Sequence, residues 1–574
     1  MTATLSRVPG AVRTRRFDRF SVLAKVLAGV YLAVLALVLG ATILQLFGGG
    51  DLISKAFATR GVGEAIRNSA IIVVCSVPAA LAIGTLFAWL NERTDAEMGR
   101  FSQLLPLLPF VVPGVAISIG WIFLGSERAG FLNAFTRMVG EWFGFDGLAP
   151  FNITTWVGLI FVYTLDLVPL AFLVVSAAFR NVDGAKDEAS RMSGAGIFRT
   201  LRRVSIPSVF PAIMSAVLLM VVHSAAMFSV PTIIGTAAGI NVLPVHIVRL
   251  VRDFNPPQIG EAVVLSGIIF AVVLAVWLFQ GFIGRRGHHS TIVGKVSRPT
   301  PVRLGGWGWV ARGLMVLYIV AAAVAPICAL ALVALQPFWQ PTINIASLSL
   351  NNLSLIFAPG SQTTQAFVNS VTLGAIGASV AVISGAILMV YVHQRRTRFG
   401  RLVDGATKLP ATLSHIVIGI AFVAMTALVP GAQGTAVLLL AYIIVYMPQA
   451  STTVGSASEQ VGRELTEASR MAGGTSLRTF LRVNLPLMIP GMTAAWALLF
   501  VLIMGDLTVS ALLSGTNQPV IGFVILTIWE NGTYSQLAMF ALVVTLFAAV
   551  VVTVLMSVSR KLGHGRANIT AKRG

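Results

Sequence analysis

Charged side chains are scarce in this chain of 574 residues. They make up 11% of the sequence, whereas soluble domains usually carry about 25%. Hydrophobic residues account for 56%, and the mean hydropathy is +0.86. A soluble globular protein is therefore excluded. Apolar runs of roughly 20 residues recur, each long enough to cross a bilayer as a helix, and they predict an all-α polytopic membrane protein.

Cysteines and metal-ligand spacings are also rare. The two cysteines, Cys75 and Cys328, both fall in apolar runs. We expect them to be packing residues, because a disulfide or metal site needs closer partners. The sequence has no His-Glu-x-x-His, so a metalloenzyme is not indicated, and no metal ligand is assigned.

The apolar runs define about twelve spans. The first span follows a basic segment that lacks a small-residue cleavage site, so we interpret it as a signal anchor. The predicted spans are 22–47, 66–90, 101–124, 154–178, 209–233, 262–284, 309–336, 367–392, 406–429, 433–450, 488–513 and 536–558.

Basic residues outnumber acidic residues, 41 to 21, which gives a net charge of +20. All but seven of these 41 fall on one side of the predicted membrane. Because cytoplasmic segments are enriched in Lys and Arg, we expect both termini to be cytoplasmic. The charge indicates topology, and no nucleic-acid partner is expected. The seven exceptions are Lys55, Arg60, Arg67, Arg128, Arg137, Arg249 and Arg252.

One pentapeptide occurs twice. Glu-Ala-Ser-Arg-Met stands at 188–192 and again at 467–471, 279 residues later. Between 187–211 and 466–490, 12 of 25 positions are identical. Each copy falls between the fourth and fifth spans of its half, on the basic side. Polar loops in a hydrophobic chain seldom stay this similar unless both meet the same kind of partner.

The duplication extends into the spans. Asn68-Ser69 in the second span matches Asn369-Ser370 in the eighth. Six spans per half make the halves parallel repeats. The predicted division is a first half (1–284, with a repeated loop at 180–207), a basic cytoplasmic linker (285–308) and a second half (309–574, with a repeated loop at 459–486).

Local signals predict a short helix, a glycine turn and a second helix in each repeated loop. Asp183 can cap the first helix, and Gly194 can supply the left-handed turn that ends it. Pro207 suits the start of the fifth span. Gly473 and Pro486 take the same positions in the second copy.

The repeated loops resemble the Glu-Ala-Ala loop of ABC-importer permeases. The shared pattern is Glu-Ala, four residues, Gly, nine residues, an aliphatic residue, one residue, and Ile or Leu before Pro. Ser190 and Ser469 replace the second Ala. The resemblance implies a type I permease fold in which each loop docks on a cytoplasmic ATPase. It assigns this coupling to Glu188, Ala189, Gly194, Arg199, Pro207, Glu467, Ala468, Gly473, Arg478 and Pro486.

The chain has no Gly-x-x-x-x-Gly-Lys-Ser/Thr phosphate loop, so we expect a permease that is not itself an enzyme. The resemblance implies that two separate subunits bind ATP and Mg, and that this chain binds no cofactor. It also implies an external substrate-binding protein and a prokaryotic inner membrane. Substrate would pass between spans 2–6 and 8–12, with the first span of each half at the periphery.

Two stretches resemble permeases for ferric iron. They are 226–235, which contains Phe228-Ser229-Val230-Pro231, and 505–513, which has Asp506 where Glu is usual. The resemblance implies ferric iron as the substrate. The alternatives are a small organic solute (thiamine, a polyamine or aminoethylphosphonate) carried by the same machinery, or a secondary transporter without an ATPase.

Acidic residues inside the membrane are costly, so they are candidates for function. Asp166 lies in the fourth span and Asp506 near the outer end of the eleventh. Two carboxylates facing a path would suit a hard cation, although each could instead satisfy backbone at a helix end. His223 and His415 are expected to be packed. The candidate path residues are Asp166, Phe228, Ser229, Pro231, Asp506 and Thr508.

Overall fold

The computed structural model describes residues 18–47, 51–99, 112–144, 147, 149–286, 301–394, 397–429 and 434–571. Within these ranges the regular structure is helical, and the two β-bridges are isolated pairs. The predicted all-α fold class is confirmed. Most of the predicted linker, from 287 to 300, lies outside the described residues.

Helices make up the described part of both halves. In the first half they are Arg19–Phe47, Leu52–Ala58, Val62–Arg93, Gly114–Gly125, Phe131–Trp142, Trp156–Asn181, Ala185–Met192, Ile197–Thr200, Leu201–Ser205, Ile206–Ala226, Pro231–Gly235, Leu243–Arg252 and Ile259–Arg286. In the second half they are Trp307–Ile319, Val320–Val324, Ala325–Leu335, Ile345–Ser347, Asn351–Ile356, Gln362–Gln394, Arg398–Leu413, His415–Leu428, Thr435–Glu459, Arg463–Met471, Ser476–Thr479, Phe480–Asn484, Leu485–Met504, Thr508–Leu513, Ile521–Asn531 and Tyr534–Ala571.

The described part of the chain has ten helices long and apolar enough to cross a membrane, and eleven if one bent pair counts as a span. The third predicted span, 101–124, is described only from Val112, and its helix, Gly114–Gly125, has 12 residues. Residues 101–111 of that span lie outside the described part. The sequence-based count of about twelve therefore exceeds what the described helices contain.

The ninth span is not the continuous helix predicted over 406–429. Its two helices meet at Ser414 with a bend of 100°, and Ser414 has a φ of 59°. The Ser414 side chain accepts a hydrogen bond from the Val417 amide, 3.4 Å away, and so caps the second helix. Hydropathy alone does not register such a bend, because it reports composition and not the direction of the backbone.

The fifth and eleventh spans are also shorter than predicted. They were expected to reach 233 and 513, but their helices end at Ala226 and Met504. The chain then turns inside the protein before the short helices Leu243–Arg252 and Ile521–Asn531. Irregular backbone at this depth is tolerated where protein surrounds it, and enough of its residues are apolar for a hydropathy window to run on past the end of the helix.

The duplicated Asn-Ser pairs hold these short helices in place. Asn68 Nδ2 donates to the Asn241 carbonyl at 2.8 Å, and Ser69 Oγ accepts from the Leu243 amide at 2.8 Å. In the second half Asn369 Nδ2 donates to the Pro519 carbonyl at 2.9 Å, and Ser370 Oγ accepts from the Ile521 amide at 2.8 Å. Each pair thus satisfies backbone groups at the start of a short helix that hydropathy does not reveal.

The first span of each half packs across onto the other half. Arg19–Phe47 contacts His415–Leu428. In the seventh span, the helix Ala325–Leu335 contacts Gly114–Gly125. At the second contact the backbones approach closely, since a Cβ on Gly120 would lie 2.5 Å from the Pro326 carbonyl oxygen. Trp121 Nε1 also donates to the Ala321 carbonyl at 3.1 Å. The two halves therefore form one interlocked bundle.

The cysteines do not pack in the core. Cys75 and Cys328 are both free and exposed on the surfaces of their helices, so the expectation that they are packing residues is wrong. A thiol is a small, weakly polar group, and an apolar helix surface accommodates it.

Candidate functional site

The first repeated loop contains the helix Ala185–Met192, followed by a glycine turn. The Asp183 carboxylate accepts from the Ala185 amide at 3.1 Å, but the N-cap residue of this helix is Gly184, so Asp183 lies one residue before the capping position that we predicted for it. Gly194 has a φ of 79°, and the Ala195 amide donates to the Ser190 carbonyl at 3.1 Å. The left-handed turn predicted from the glycine is confirmed.

The second repeated loop has the same geometry. The helix Arg463–Met471 is followed by Gly473, which has a φ of 80°, and the Gly474 amide donates to the Ser469 carbonyl at 2.9 Å. After the turn, both loops pass through one π-helical segment, Leu201–Ser205 in the first and Phe480–Asn484 in the second. Both segments run into a helix with proline at its start, Pro207 or Pro486.

A hydroxyl pair closes each repeated loop. Ser190 Oγ lies 3.0 Å from Thr200 Oγ1, and Ser469 Oγ lies 2.9 Å from Thr479 Oγ1. In the sequence, the two serines stand only as replacements for the second Ala of the family pattern. Their bond was detectable, because both the Ser and the Thr recur at the same spacing of 279 residues.

The tips of the repeated loops are exposed. Met192 is 89% exposed and Met471 is 90% exposed, and each is the last residue of its loop helix. Ala189, Arg199, Glu467, Ala468 and Arg478 are exposed, whereas Glu188 is partly buried. Exposed apolar side chains are typical of contact surfaces where they form a patch, and Phe198, which is 74% exposed, belongs to the same loop as Met192. In the sequence the two methionines are only the last residues of the repeated pentapeptide, and no pattern there indicates their exposure.

A cavity of about 420 Å³ lies between the two halves. Residues of the third, fourth and fifth spans line one wall, and residues of the ninth, tenth and eleventh spans line the other. We call it the central cavity. Five of the six predicted path residues line it: Asp166, Phe228, Ser229, Asp506 and Thr508. The sixth, Pro231, is buried in the helical turn Pro231–Gly235, and it is not among the residues that line this cavity.

Asp166 faces the central cavity together with a histidine. Its Oδ2 lies 3.1 Å from His223 Nε2, and about half of the His223 side chain is exposed. A Cβ on Gly114 would lie 3.1 Å from Ser229 Oγ and 3.8 Å from Asp166 Oδ1, so both polar groups lie next to Gly114. His223 is therefore not the packed residue that we expected, and no spacing in the sequence linked it to Asp166.

Asp506 also borders the central cavity, but its carboxylate is largely occupied. Oδ1 accepts from the amides of Val509 and Ser510, at 2.8 and 3.2 Å. Oδ2 accepts from Tyr446 Oη at 2.9 Å and lies 3.9 Å from His415 Nδ1. Asp506 thus caps the short helix Thr508–Leu513. The alternative raised from sequence, that this acid satisfies backbone at a helix end, describes most of its contacts.

The groups around Asp166 and around Asp506 border the same cavity, but they do not form a metal-binding site. Across the described residues, no group of three or more His, Cys, Asp or Glu side chains is close enough to hold a metal ion. Asp166 with His223 belongs to the first half, and Asp506 with His415 and Tyr446 belongs to the second. The arrangement presents acid and imidazole groups from both halves to the same space.

The sequence matches one family profile twice, once in each half. The family is described as "Binding-protein-dependent transport system inner membrane component", and residues 80–286 and 377–566 match it. These two matches cover more than half of the chain. The protein belongs to this family. Its members are membrane subunits of ABC transporters and are not themselves enzymes, and the many apolar helices make this chain a multi-pass membrane protein.

Full-length relatives include ferric-iron permeases. The Haemophilus influenzae Fe(3+)-transport system permease protein FbpB 2 is 24% identical over 86% of this chain and 90% of its own length. The Actinobacillus pleuropneumoniae ferric transport system permease protein FbpB is 22% identical over 88% of this chain and 71% of its own. Both relatives therefore span the two halves, as this chain does.

A polyamine permease matches over a shorter region. The Haemophilus influenzae spermidine/putrescine transport system permease protein PotC is 24% identical over 35% of this chain and 78% of its own length. A solved bacterial ABC transporter involved in import of the acidic polysaccharide alginate gives 20% identity and a TM-score of 0.35, covering 43% of this chain and 88% of that chain.

Proposed function

We propose that this chain is the membrane subunit of an ATP-driven importer and that its substrate is ferric iron. A substrate-binding protein outside the cell delivers the substrate, and two ATPase subunits inside the cell drive its passage. ATP and Mg are bound by those subunits, and both termini and both repeated loops are cytoplasmic. Family membership and the distribution of Lys and Arg support this assignment.

The two repeated loops carry the proposal. They share a helix, a glycine turn, a Ser–Thr hydroxyl pair and a tip methionine that is about nine-tenths exposed. Two copies of the same partner protein could therefore bind the two loops in the same way. In each loop, Glu, Ala, Gly, Arg and Pro are the coupling residues named from the sequence. We propose that the methionines insert into the ATPase clefts, because a buried Met contributes about 1.5–3 kcal/mol.

The central cavity supports an alternating-access cycle. Its walls come from both halves, so a movement of one half against the other changes the access to it. When the ATPases close, they draw the repeated loops together, and the halves rock around the cavity. Asp166, His223 and Ser229 from the first half then face Asp506 and Thr508 from the second, along the route that the substrate takes.

Ferric iron is preferred because the two ferric-permease relatives match both halves of the chain. Carboxylate oxygens are also suitable ligands for a hard cation. A polyamine is the second candidate, since PotC matches 35% of this chain and an acidic cavity would also suit an organic cation. An uptake assay separates the two. Proteoliposomes that contain the chain, its ATPase and its binding protein should accumulate labelled ferric iron and not spermidine. Accumulation of spermidine alone would overturn the iron assignment.

A further inference from the structure

We propose that Arg93 is a positioning residue that fixes the first repeated loop to its half, and that the second repeated loop lacks this lock. The two loops would then be unequal in rigidity, although their sequences are similar. The inference rests on the proposed function only in taking the loops as ATPase contacts. The structural difference between the two loops does not depend on the proposed function.

Arg93 is the last residue of the second-span helix, and it is only 3% exposed. Its Nη2 donates to the carbonyls of Phe179 and Val182, at 2.9 and 2.8 Å. Those carbonyls lie at the end of the fourth-span helix, where the last turn has no partners of its own within the helix. The guanidinium therefore ties the cytoplasmic ends of two spans together.

The same guanidinium reaches the loop helix. Arg93 Nε lies 3.6 Å from Asp187 Oδ2, and Asp187 is a buried residue in the first turn of Ala185–Met192. The other carboxylate oxygen, Oδ1, accepts from Ser205 Oγ at 2.9 Å. One ion pair thus connects the second span, the fourth span, the loop helix and the segment that leads into the fifth span.

Maximal stability does not explain this ion pair. Arg93 Nε and Nη1 are buried and have no hydrogen-bond partner in the structure, and buried charges are costly unless they are fully satisfied. Such pairs are better suited to specifying one arrangement than to adding stability. Here the arrangement specified is the orientation of the first loop helix relative to its half.

The second half replaces both partners with neutral residues. Gln394 occupies the position of Arg93, and Thr466 occupies that of Asp187. Thr466 Oγ1 donates to Asn484 Oδ1 at 3.3 Å. Among the residues that the structure describes, the loop helix is also tied by a bond of 2.9 Å from Arg470 Nη2 to Gln394 Oε1, on an exposed surface. An exposed pair of this kind contributes little to holding a helix.

An open space lies where the lock is missing. A cavity of about 990 Å³ is bordered by Gln394, Thr466, Glu467, Arg470 and Asn484. The corresponding region of the first half holds the buried guanidinium of Arg93. The loop helix Arg463–Met471 therefore has weaker polar ties to its half and open space beside it, whereas the helix Ala185–Met192 is fixed to its half and transmits a push directly.

Hydrogen exchange on the purified full-length chain, without any ATPase, tests the lock. The amides of 185–192 should exchange about tenfold more slowly than those of 463–471, a ratio that corresponds to about 1.4 kcal/mol. Arg93→Gln should remove the difference, and Arg93→Lys should restore part of it. Equal exchange in the two wild-type loops, or a difference that survives Arg93→Gln, would overturn the proposal.

A transplant avoids disturbing the buried pair, in case Arg93→Gln does not fold. Gln394→Arg combined with Thr466→Asp gives the second half the residues of the first, and it should slow exchange in 463–471 while 185–192 stays unchanged. No slowing in this double variant would contradict the lock. Binding of an ATPase to the wild-type chain is measured separately, so failure of the proposed docking and failure of the lock give different results.

Discussion

The hydroxyl oxygens of Ser190 and Thr200 lie 3.0 Å apart and close the first repeated loop across its glycine turn. The bond recurs at 2.9 Å between Ser469 and Thr479. Each links the loop helix to the segment that leads into the next span, so the loop moves as one body. This matters because, in the proposed function, a load applied at the tip has to reach the membrane.

Removing the threonine hydroxyl should weaken each loop by a similar amount. Thr200→Val and Thr479→Val each leave a serine without its partner, and a net loss of about 0.5–1.5 kcal/mol is expected. Hydrogen exchange of the loop helices measures it. Serine replacing threonine at either position keeps the hydroxyl and is the control. Equal exchange in the valine and serine variants would show that the bond contributes nothing.

The glycine turns should not tolerate a side chain. Gly194→Ala and Gly473→Ala place a Cβ at φ values near 80°, which costs about 1–2 kcal/mol. The expected result is a destabilised loop and a lower ATPase rate in the assembled transporter. Gly196→Ala is the matched control, since Gly196 has a φ of −65° and no neighbour within 4 Å. If all three variants behave alike, the left-handed turn is not the cause.

The exposed methionines should anchor the ATPases. Met192→Ser and Met471→Ser are each expected to weaken ATPase binding by about 2 kcal/mol, or roughly 30-fold, because the apolar contact is lost. Binding is measured by titrating the purified ATPase onto the chain in detergent. Met138→Ser is the control, since Met138 is 50% exposed and lies in the helix Phe131–Trp142, outside both repeated loops. Unchanged affinity in both tip variants would remove the methionines from the contact.

The two acids of the central cavity should behave differently. Asp506 caps a helix, so Asp506→Ala should lower the stability by about 1–2 kcal/mol, and Asp506→Asn should recover part of that loss because its amide oxygen still accepts. Asp166→Asn should leave the melting temperature nearly unchanged and reduce substrate uptake. Thermal melting and proteoliposome uptake separate these effects. A large fall in melting temperature for Asp166→Asn would contradict the path role.

Repetition within the sequence predicted the parts of the fold that both halves share. The recurrence of Gly194 as Gly473 predicted both turns, and Asn68-Ser69 with Asn369-Ser370 predicted equivalent spans. These signals are informative because each residue type has a specific role in the local backbone. Glycine adopts the left-handed conformation of a turn, and Asn and Ser side chains bond backbone groups. The break at Ser414 was not predictable, because the residues after it are as apolar as those of a continuing helix. The end at Met504 coincides with Gly505-Asp506, a signal that the high mean hydropathy of 488–513 conceals.

The site was predictable to a smaller extent. Asp166 and Asp506 were identified because charges are rare inside membranes. Their partners His223 and Tyr446 come from other spans, and only the packing brings them together. Arg93 is a lone arginine at a helix end in the sequence, and the same residue type on most helix ends faces water. Its burial against Phe179 and Asp187 follows from how three segments meet.

The central claim is that both repeated loops together couple this chain to ATP hydrolysis. The direct measurement is uptake by proteoliposomes that hold the chain, its ATPase and its binding protein, with the bound ATPase counted in the same preparations. The account predicts two bound ATPase subunits per chain and uptake only when ATP is present on the side of the membrane where the ATPases bind. In the double variant Glu188→Lys with Glu467→Lys, ATPase binding and uptake should both be lost. Uptake that continues without ATP, or in the double variant, would contradict it.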